Sequence, residues 1–298
     1  MYNIDDIKNT IINGDVLEVL KEIPDNSIDM CITSPPYWNL RDYNVEGQLG
    51  NEYTTKEFIE KLIEIFNEVK RVLKDTGTCW VNIRDTYSKG IKRCGVKNKS
   101  LSMIPERFAI KMLDNGWILR NDIIWHKPNA MPDSCKNRFT VDYEHLYLFS
   151  KLEKGYYFET QYEEYVAKQH KTPNNKPINN NNTGKQKILL DSGVVRHGAK
   201  GSTLNDSAKW SEKGRIKRTT WSINTKPLKG IHVAPFPEKL IETPIKAGCT
   251  ENGIVLDIFM GSGTTGVVSK KLNRNFIGIE LNKEYIKEAL NRIDSIDK

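Results

Sequence analysis

Ser34-Pro35-Pro36-Tyr37 ends an apolar run that begins at Ile28, and it does so with a hydroxyl, two prolines and a phenol. Consecutive prolines fix two φ angles and remove two backbone donors, so the loop is stiff and its carbonyls are free to accept. A stiff loop rich in acceptors can hold a substrate group. Prolines at a strand end are also ordinary punctuation. The loop gains meaning from a second one, far along the chain.

That second loop is "DIFMGSGTTG", Asp257 to Gly266, with Gly261-x-Gly263-x-x-Gly266 after an apolar strand and before a helix. Glycines there permit a tight turn and a close approach of backbone to a cofactor. By itself the pattern also suits a dinucleotide-binding dehydrogenase. A P-loop is excluded, because Val267 and Val268 stand where Lys and Ser or Thr are required. A dehydrogenase opens its sheet with this turn, whereas here only about thirty residues follow it. If the N-terminal strands complete the sheet that the C-terminal strands begin, the order is circularly permuted, and the two loops end neighbouring parallel strands. Glu280 ends the next strand, where a carboxylate accepts both hydroxyls of a ribose or serves as an ordinary helix-start acid. Asp15, after "TIING", can accept from an adenine amino group or cap the helix that follows.

The elements that must position these loops alternate. "TIINGD", "IDMCITS", "GTCWVNI", "WILRNDIIW" and "EHLYLFS" read as short buried strands. "TTKEFIEKLIEIFNEVKRVLK" carries Phe58, Leu62, Ile65, Phe66, Val69, Val72 and Leu73 along one helical face. "SMIPERFAIKMLDNG" forms another helix. Toward the end come helix "FPEKLIETPIKAG", strand "GIVLDIFM", helix "TTGVVSKKLNR", strand "NFIGIEL" and helix "NKEYIKEALNRI". Such alternation predicts an α/β fold with a doubly wound, mostly parallel sheet. Its halves are residues 1–150 and 231–298, with 151–230 inserted between them.

The chain has 298 residues, 38% of them hydrophobic, and a net charge of +7. No apolar run approaches the ~18 residues needed to span a bilayer, and the first residues lack a signal-peptide pattern, so a cytoplasmic protein with no membrane partner is expected. Five scattered cysteines and five isolated histidines signal neither a disulfide framework nor a metal site. Charge is uneven: residues 151–230 hold 16 Lys and Arg against 7 Asp and Glu. Lys213, Arg215, Lys217 and Arg218, with Trp210 and Trp221, make that segment a candidate polyanion-binding surface. The polar tract "KTPNNKPINNNNTGKQK" within it also reads as a linker.

With these motifs in this order, the sequence resembles the amino-methylating DNA methyltransferases that use S-adenosylmethionine, in their permuted beta arrangement. Members place a Ser/Asp/Asn-Pro-Pro-Tyr loop first, a target-recognition region next and a Phe-x-Gly-x-Gly loop last. The resemblance covers residues 1–150 and 220–298. It implies a Rossmann-like methyltransferase sheet, catalysis by Ser34, Pro35, Pro36 and Tyr37 on a base flipped from the duplex, and no metal. It further implies a cofactor site formed by Asp15, Phe236, Pro237, Asp257, Phe259, Gly261, Gly263 and Glu280. Trp38 either extends the stacking surface or belongs to the core. Where similar enzymes often read Ser-His-Glu, this chain has Asp142-Tyr143-Glu144, and no role is transferred to those residues. The expected partner is double-stranded DNA, with a cognate restriction endonuclease acting on the same site as a second candidate; monomer and dimer both stay open. A loop beginning with Ser is typical of N4-cytosine enzymes, one beginning with Asp or Asn of N6-adenine enzymes. The competing readings are an N6-adenine enzyme, an enzyme acting on RNA or protein amides, and a non-catalytic nucleic-acid-binding protein on a degenerate version of the same sheet.

Overall fold

Strands this apolar must be covered on both faces, and the amphipathic segments between them supply the cover. The computed structural model of the chain describes residues 1–40, 47–164, 214–226 and 236–297. A one-turn helix α1 (Ile4–Ile7) precedes β1 (Thr10–Asn13), α2 (Val16–Glu22) and β2 (Ile28–Thr33). Then come α3 (Thr55–Val72), β3 (Leu73–Ile83), the short α4 (Ile91–Cys94), α5 (Ile104–Asp114) and the antiparallel pair β4 (Ile118–His126) and β5 (Tyr143–Ser150). Two short strands, β6 (Tyr162–Glu163) and β7 (Arg215–Ile216), precede β8 (Thr220–Ser222). The chain continues with α6 (Glu238–Gly248), β9 (Ile254–Asp257), α7 (Thr264–Lys271), β10 (Asn275–Glu280) and α8 (Lys283–Asp294).

Eight strands form one sheet in the order β1-β10-β9-β2-β3-β5-β4-β8. From β1 to β3 all neighbours run parallel, and β5 is antiparallel to both of its neighbours. The last two strands therefore fill the gap between the first two, as a permuted order requires. Cys31 of β2 lies opposite Leu256 of β9, so the loops after these strands leave from the same edge.

Helix α3 shows how sequence sets local structure. Thr54 and Glu57 make a reciprocal capping box, which satisfies two orphan donors of the first turn. Its buried face, Phe58, Leu62, Phe66 and Val69 among others, packs against α2 and α5, with Phe66 edge-on to Phe108 at 5.2 Å.

Two compact units emerge: residues 1–161 with 218–298, and residues 162–217. Against the boundaries expected at 151 and 230, the smaller unit runs from 162 to 217: the Tyr157 and Glu159 amides donate to the Thr76 and Ala247 carbonyls of the sheet unit, and β8 pairs with β4. Trp221, expected beside the cations of the insertion, lies instead in the sheet core with Trp125 and Leu146, and its indole donates to the Arg218 carbonyl at 2.6 Å. A three-residue strand is too short to show periodicity, and a Trp gains more by burial than by exposure. Within the second unit, β6 and β7 pair antiparallel and Arg215 bridges Glu163 at 2.8 Å. Trp210 and Lys213 lie outside the described residues. No helix among the described residues is long and apolar enough to cross a membrane.

Gly263 opens α7 at φ +78°, and a methyl added there would sit 2.7 Å from the Ala289 Cβ and 3.0 Å from its Cα on α8. Gly263→Ala is expected to cost about 3 kcal/mol from left-handed backbone strain and overpacking, read as a lowered urea midpoint. An unchanged midpoint would show that α8 gives way freely.

Candidate active site

Asp257 closes β9 with a side chain only 1% exposed. One carboxylate oxygen accepts from the Thr33 hydroxyl at 2.7 Å and the Phe259 amide at 3.1 Å, and the other from the Thr265 hydroxyl at 2.5 Å. Burial raises its pKa above the ordinary carboxylate value, while the three donors favour the ionised form. The end of β2, the turn after β9 and the first turn of α7 are thereby tied to one group.

The glycine loop is held from two further sides. Glu280, at the end of β10, accepts from the Gly261 amide at 2.8 Å and from the Asn282 amide at 2.8 Å. Burial raises its pKa. Arg292 of α8 donates to the Ser262 carbonyl at 2.5 Å and to its hydroxyl at 2.9 Å. Asp15 caps α2, its Oδ1 accepting from Leu17 and Glu18.

Both loops open on one cavity of about 240 Å³. Ser34, Pro35, Pro36 and Tyr37 line it, and so do Asp15, Phe236, Phe259, Gly261 and Glu280. Asp257, Gly263 and Pro237 are not in the wall. Asp257 lies behind it as a tie, Gly263 faces α8, and Pro237 starts α6. Trp38 is core: it is 1% exposed, and its indole donates to the Glu52 carbonyl at 3.0 Å. Of the cations in the candidate polyanion-binding set, Arg215 and Lys217 belong to the smaller unit and Arg218 to the sheet unit.

Opposite the glycine loop stands a buried polar chain. The Asn82 amide group donates to the His145 carbonyl at 3.1 Å, which turns its Oδ1 toward the Ser34 hydroxyl at 3.4 Å and the Tyr37 hydroxyl at 3.3 Å. Tyr37 has a stronger acceptor in Glu144, at 2.7 Å. With the phenol hydrogen directed to Glu144, the Ser34 hydrogen is left for Asn82 Oδ1 or the Tyr37 oxygen, and no donor among the described residues engages the Ser34 oxygen. Glu144 is 3% exposed and pairs with Lys127, whose ammonium lies 4.2 Å from the Trp125 ring centroid. Burial, then the Glu144 charge, lifts the Tyr37 pKa well above the normal phenol value, so it stays a donor. Burial lowers the Lys127 pKa against the pull of Glu144.

Asn82, Lys127 and Glu144 were not among the residues expected from sequence. One signal was available: Asn82 is a lone amide in the apolar run "CWVNI", and a polar group buried in a strand needs partners. Glu144 was marked only as the Glu of Asp142-Tyr143-Glu144, a triplet whose other two residues depart from the family's Ser-His-Glu.

A family model described as DNA methylase matches residues 28–291. The chain is 38% identical over 309 residues to the type II methyltransferase M.Cfr9I of Citrobacter freundii, covering 97% of this chain and 88% of the relative. It is 37% identical over 303 residues to the type II methyltransferase M.SmaI of Serratia marcescens, covering 95% and 90%. Among solved structures, the cytosine-N4-specific PvuII DNA methyltransferase gives a TM-score of 0.62 at 23% identity, over 95% of this chain and 85% of that one. A DNA modification methylase of Thermus thermophilus, complexed with S-adenosyl-L-methionine, gives 0.60 at 21% identity, over 96% and 95%. At these identities the structural likeness is one of fold.

Glu144→Gln keeps an acceptor for Tyr37 but strands the Lys127 ammonium, and breaking a buried pair from one side costs about 3–5 kcal/mol. The penalty applies while Lys127 is charged, so it should shrink as pH rises from the depressed lysine pKa toward the ordinary one. Urea unfolding at neutral and alkaline pH checks this. The double variant Lys127→Met/Glu144→Gln should recover most of the loss.

Proposed function

The chain belongs to the DNA methylase family whose model it matches, and from that premise we propose that it moves a methyl group from S-adenosylmethionine to N4 of a cytosine flipped out of duplex DNA. The observation that carries this reading is the pairing of the two loops on adjacent parallel strands around one cavity, tied by the Thr33–Asp257 hydrogen bond.

The residues present suit that cofactor. Glu280 is the proposed acceptor for the ribose hydroxyls, since carboxylate oxygens with one amide bond each retain lone pairs. Asp15 keeps Oδ2 for the adenine amino group, its Oδ1 being engaged in the helix cap. Phe259 and Gly261 form the wall between them, and Phe236, followed by Pro237, is proposed at the methionine end. Asp257 and Gly263 act by holding the loop in shape. S-adenosylmethionine supplies a methyl group on a positively charged sulfur.

An exocyclic amine of a base is a weak nucleophile because its lone pair is delocalised into the ring. Ser34 and the Pro35 carbonyl are proposed to accept its two N–H groups, which draws the nitrogen toward tetrahedral geometry and frees the lone pair. Prolines hold both acceptors still, so little reorganisation is needed during transfer. Asn82 or the Tyr37 oxygen takes the Ser34 hydrogen and Glu144 that of Tyr37, which keeps the serine an acceptor. The Tyr37 ring is the proposed stacking surface for the flipped base. Transfer would form the N–C bond as the methyl–sulfur bond breaks with its electron pair left on sulfur, and the cationic nitrogen would then lose one proton to solvent, restoring a neutral, methylated amine.

Cytosine is proposed because the loop opens with Ser34 rather than Asp or Asn. The inserted residues 151–230, with Arg215, Lys217 and Arg218 among the described ones and Trp210 and Lys213 beyond them, are proposed to read the target sequence. Relatives named type II methyltransferases make a restriction endonuclease acting on the same site a proposed partner.

Methyl transfer from labelled cofactor to duplex DNA, followed by nucleoside analysis, tests the reading. N4-methylcytosine is the expected product; N6-methyladenine alone would overturn the choice of base, and no transfer to DNA would overturn the substrate. Ser34→Ala should lower kcat about a hundredfold, in the range for loss of one preorganised hydrogen bond, with cofactor affinity unchanged by calorimetry.

A further inference from the structure

Between Thr86 and Met103 the chain carries five cations, Lys89, Lys92, Arg93, Lys97 and Lys99, and no carboxylate. Elsewhere many lysines are paired: Lys8, Lys21, Lys74, Lys246 and Lys287 each lie within 2.8 Å of a carboxylate oxygen. Lys89, Lys92, Lys97 and Lys99 are exposed and have no ion pair among the described residues. Like charges gathered on one short loop repel one another, a cost that a polyanion offsets on binding.

The loop is built rather than loose. Asp85 staples its two ends, accepting from the Met103 amide at 2.9 Å and the Ile104 amide at 3.1 Å. Backbone bonds cross it, from Ser88 to the Ser100 carbonyl at 2.7 Å and from Ser102 to the Thr86 carbonyl at 2.9 Å. Because β3 runs parallel to β2, the segment leaves the sheet at the same edge as Ser34, and Arg84 just before it lines the cavity. Arg93 lies 5.4 Å from the Trp38 ring and 5.4 Å from the Tyr53 ring. It thereby fastens the loop to the residue that follows Tyr37.

We propose that residues 86–103 are a DNA-phosphate-binding surface, separate from the inserted segment, that seats the duplex backbone beside the cavity. This inference rests on the reading of the chain as a DNA methyltransferase. Its function would be to fix the distance between backbone and cavity for any target sequence, since contacts to phosphate position a duplex without reading it.

The test replaces Lys89, Lys92, Lys97 and Lys99 together with Gln and measures DNA affinity against salt. A matched control replaces Lys8, Lys21, Lys111 and Lys154 with Gln; the first three precede β1, β2 and β4 and the last follows the antiparallel β5, so all lie at the sheet edge away from Ser34. The loop variant should bind cognate and unrelated duplex at least tenfold more weakly at low salt. Its log–log salt slope should be shallower by about 2 to 4, at roughly 0.9 for each phosphate that is no longer neutralised. Cofactor affinity and the cognate-to-unrelated ratio should be unchanged, and the control should shift the slope by less than the amount due to a single phosphate. If the wild type binds DNA and the loop variant matches it, or the control weakens as much, the surface is overturned. If the wild type neither binds nor methylates DNA, the functional reading itself falls.

Discussion

Everything in the catalytic unit depends on a buried carboxylate. Asp257 is enclosed at the carboxyl end of β9, where an unpaired ion would be prohibitive, and its neighbours answer with three donors. Two are hydroxyls from different parts of the chain, Thr33 and Thr265. Removing either donor leaves the charge short of a partner, so the interaction specifies position more than it adds stability. It fixes the end of β2, where the Ser34-Pro35-Pro36-Tyr37 loop begins, relative to the start of α7. Two half-sites separated by more than two hundred residues of sequence become one.

The two walls of the cavity use different physics. On the glycine-loop side, backbone amides are presented to carboxylates: Gly261 and Asn282 to Glu280, and Leu17 and Glu18 to Asp15. On the other side, side chains are ordered by the direction of their hydrogens. Asn82 is fixed by the His145 carbonyl, and Tyr37 is claimed by Glu144, itself neutralised by Lys127. The consequence is a serine oxygen whose lone pairs are not committed.

Much of this was legible in the residues, for reasons that are local. Prolines and glycines fix backbone shape wherever they stand, so the two loops announced themselves. Helices such as α3 carry their own caps and stripes, and the alternation of elements gave the sheet. Asp15 and Glu280 could be read two ways: Asp15 caps α2, whereas Asn282 caps α8 and Glu280 holds the Gly261 amide instead, and both carboxylates lie on the cavity wall. What stayed hidden was tertiary. Lys127 and Glu144 are seventeen residues apart, and only the β4–β5 pairing brings them together. Trp221 looked like a surface aromatic among cations because its strand has three residues, and its burial depends on β4. The cationic loop at 86–103 was masked by the larger excess in the insertion, and its placement beside Ser34 follows from the direction of β3.

The permuted strand order also bears on biosynthesis. When β1 and β2 leave the ribosome, neither has its partner on the side that β9 and β10 will occupy. At about 5–20 residues per second, the interval until Ile254 emerges is on the order of tens of seconds. Through that time two parallel edges stand open, and open edges invite pairing with the wrong chain. The nascent N-terminal half therefore needs shielding by a chaperone or by its own loosely collapsed helices, and a message broken upstream of β9 yields an aggregation-prone fragment in place of a smaller domain.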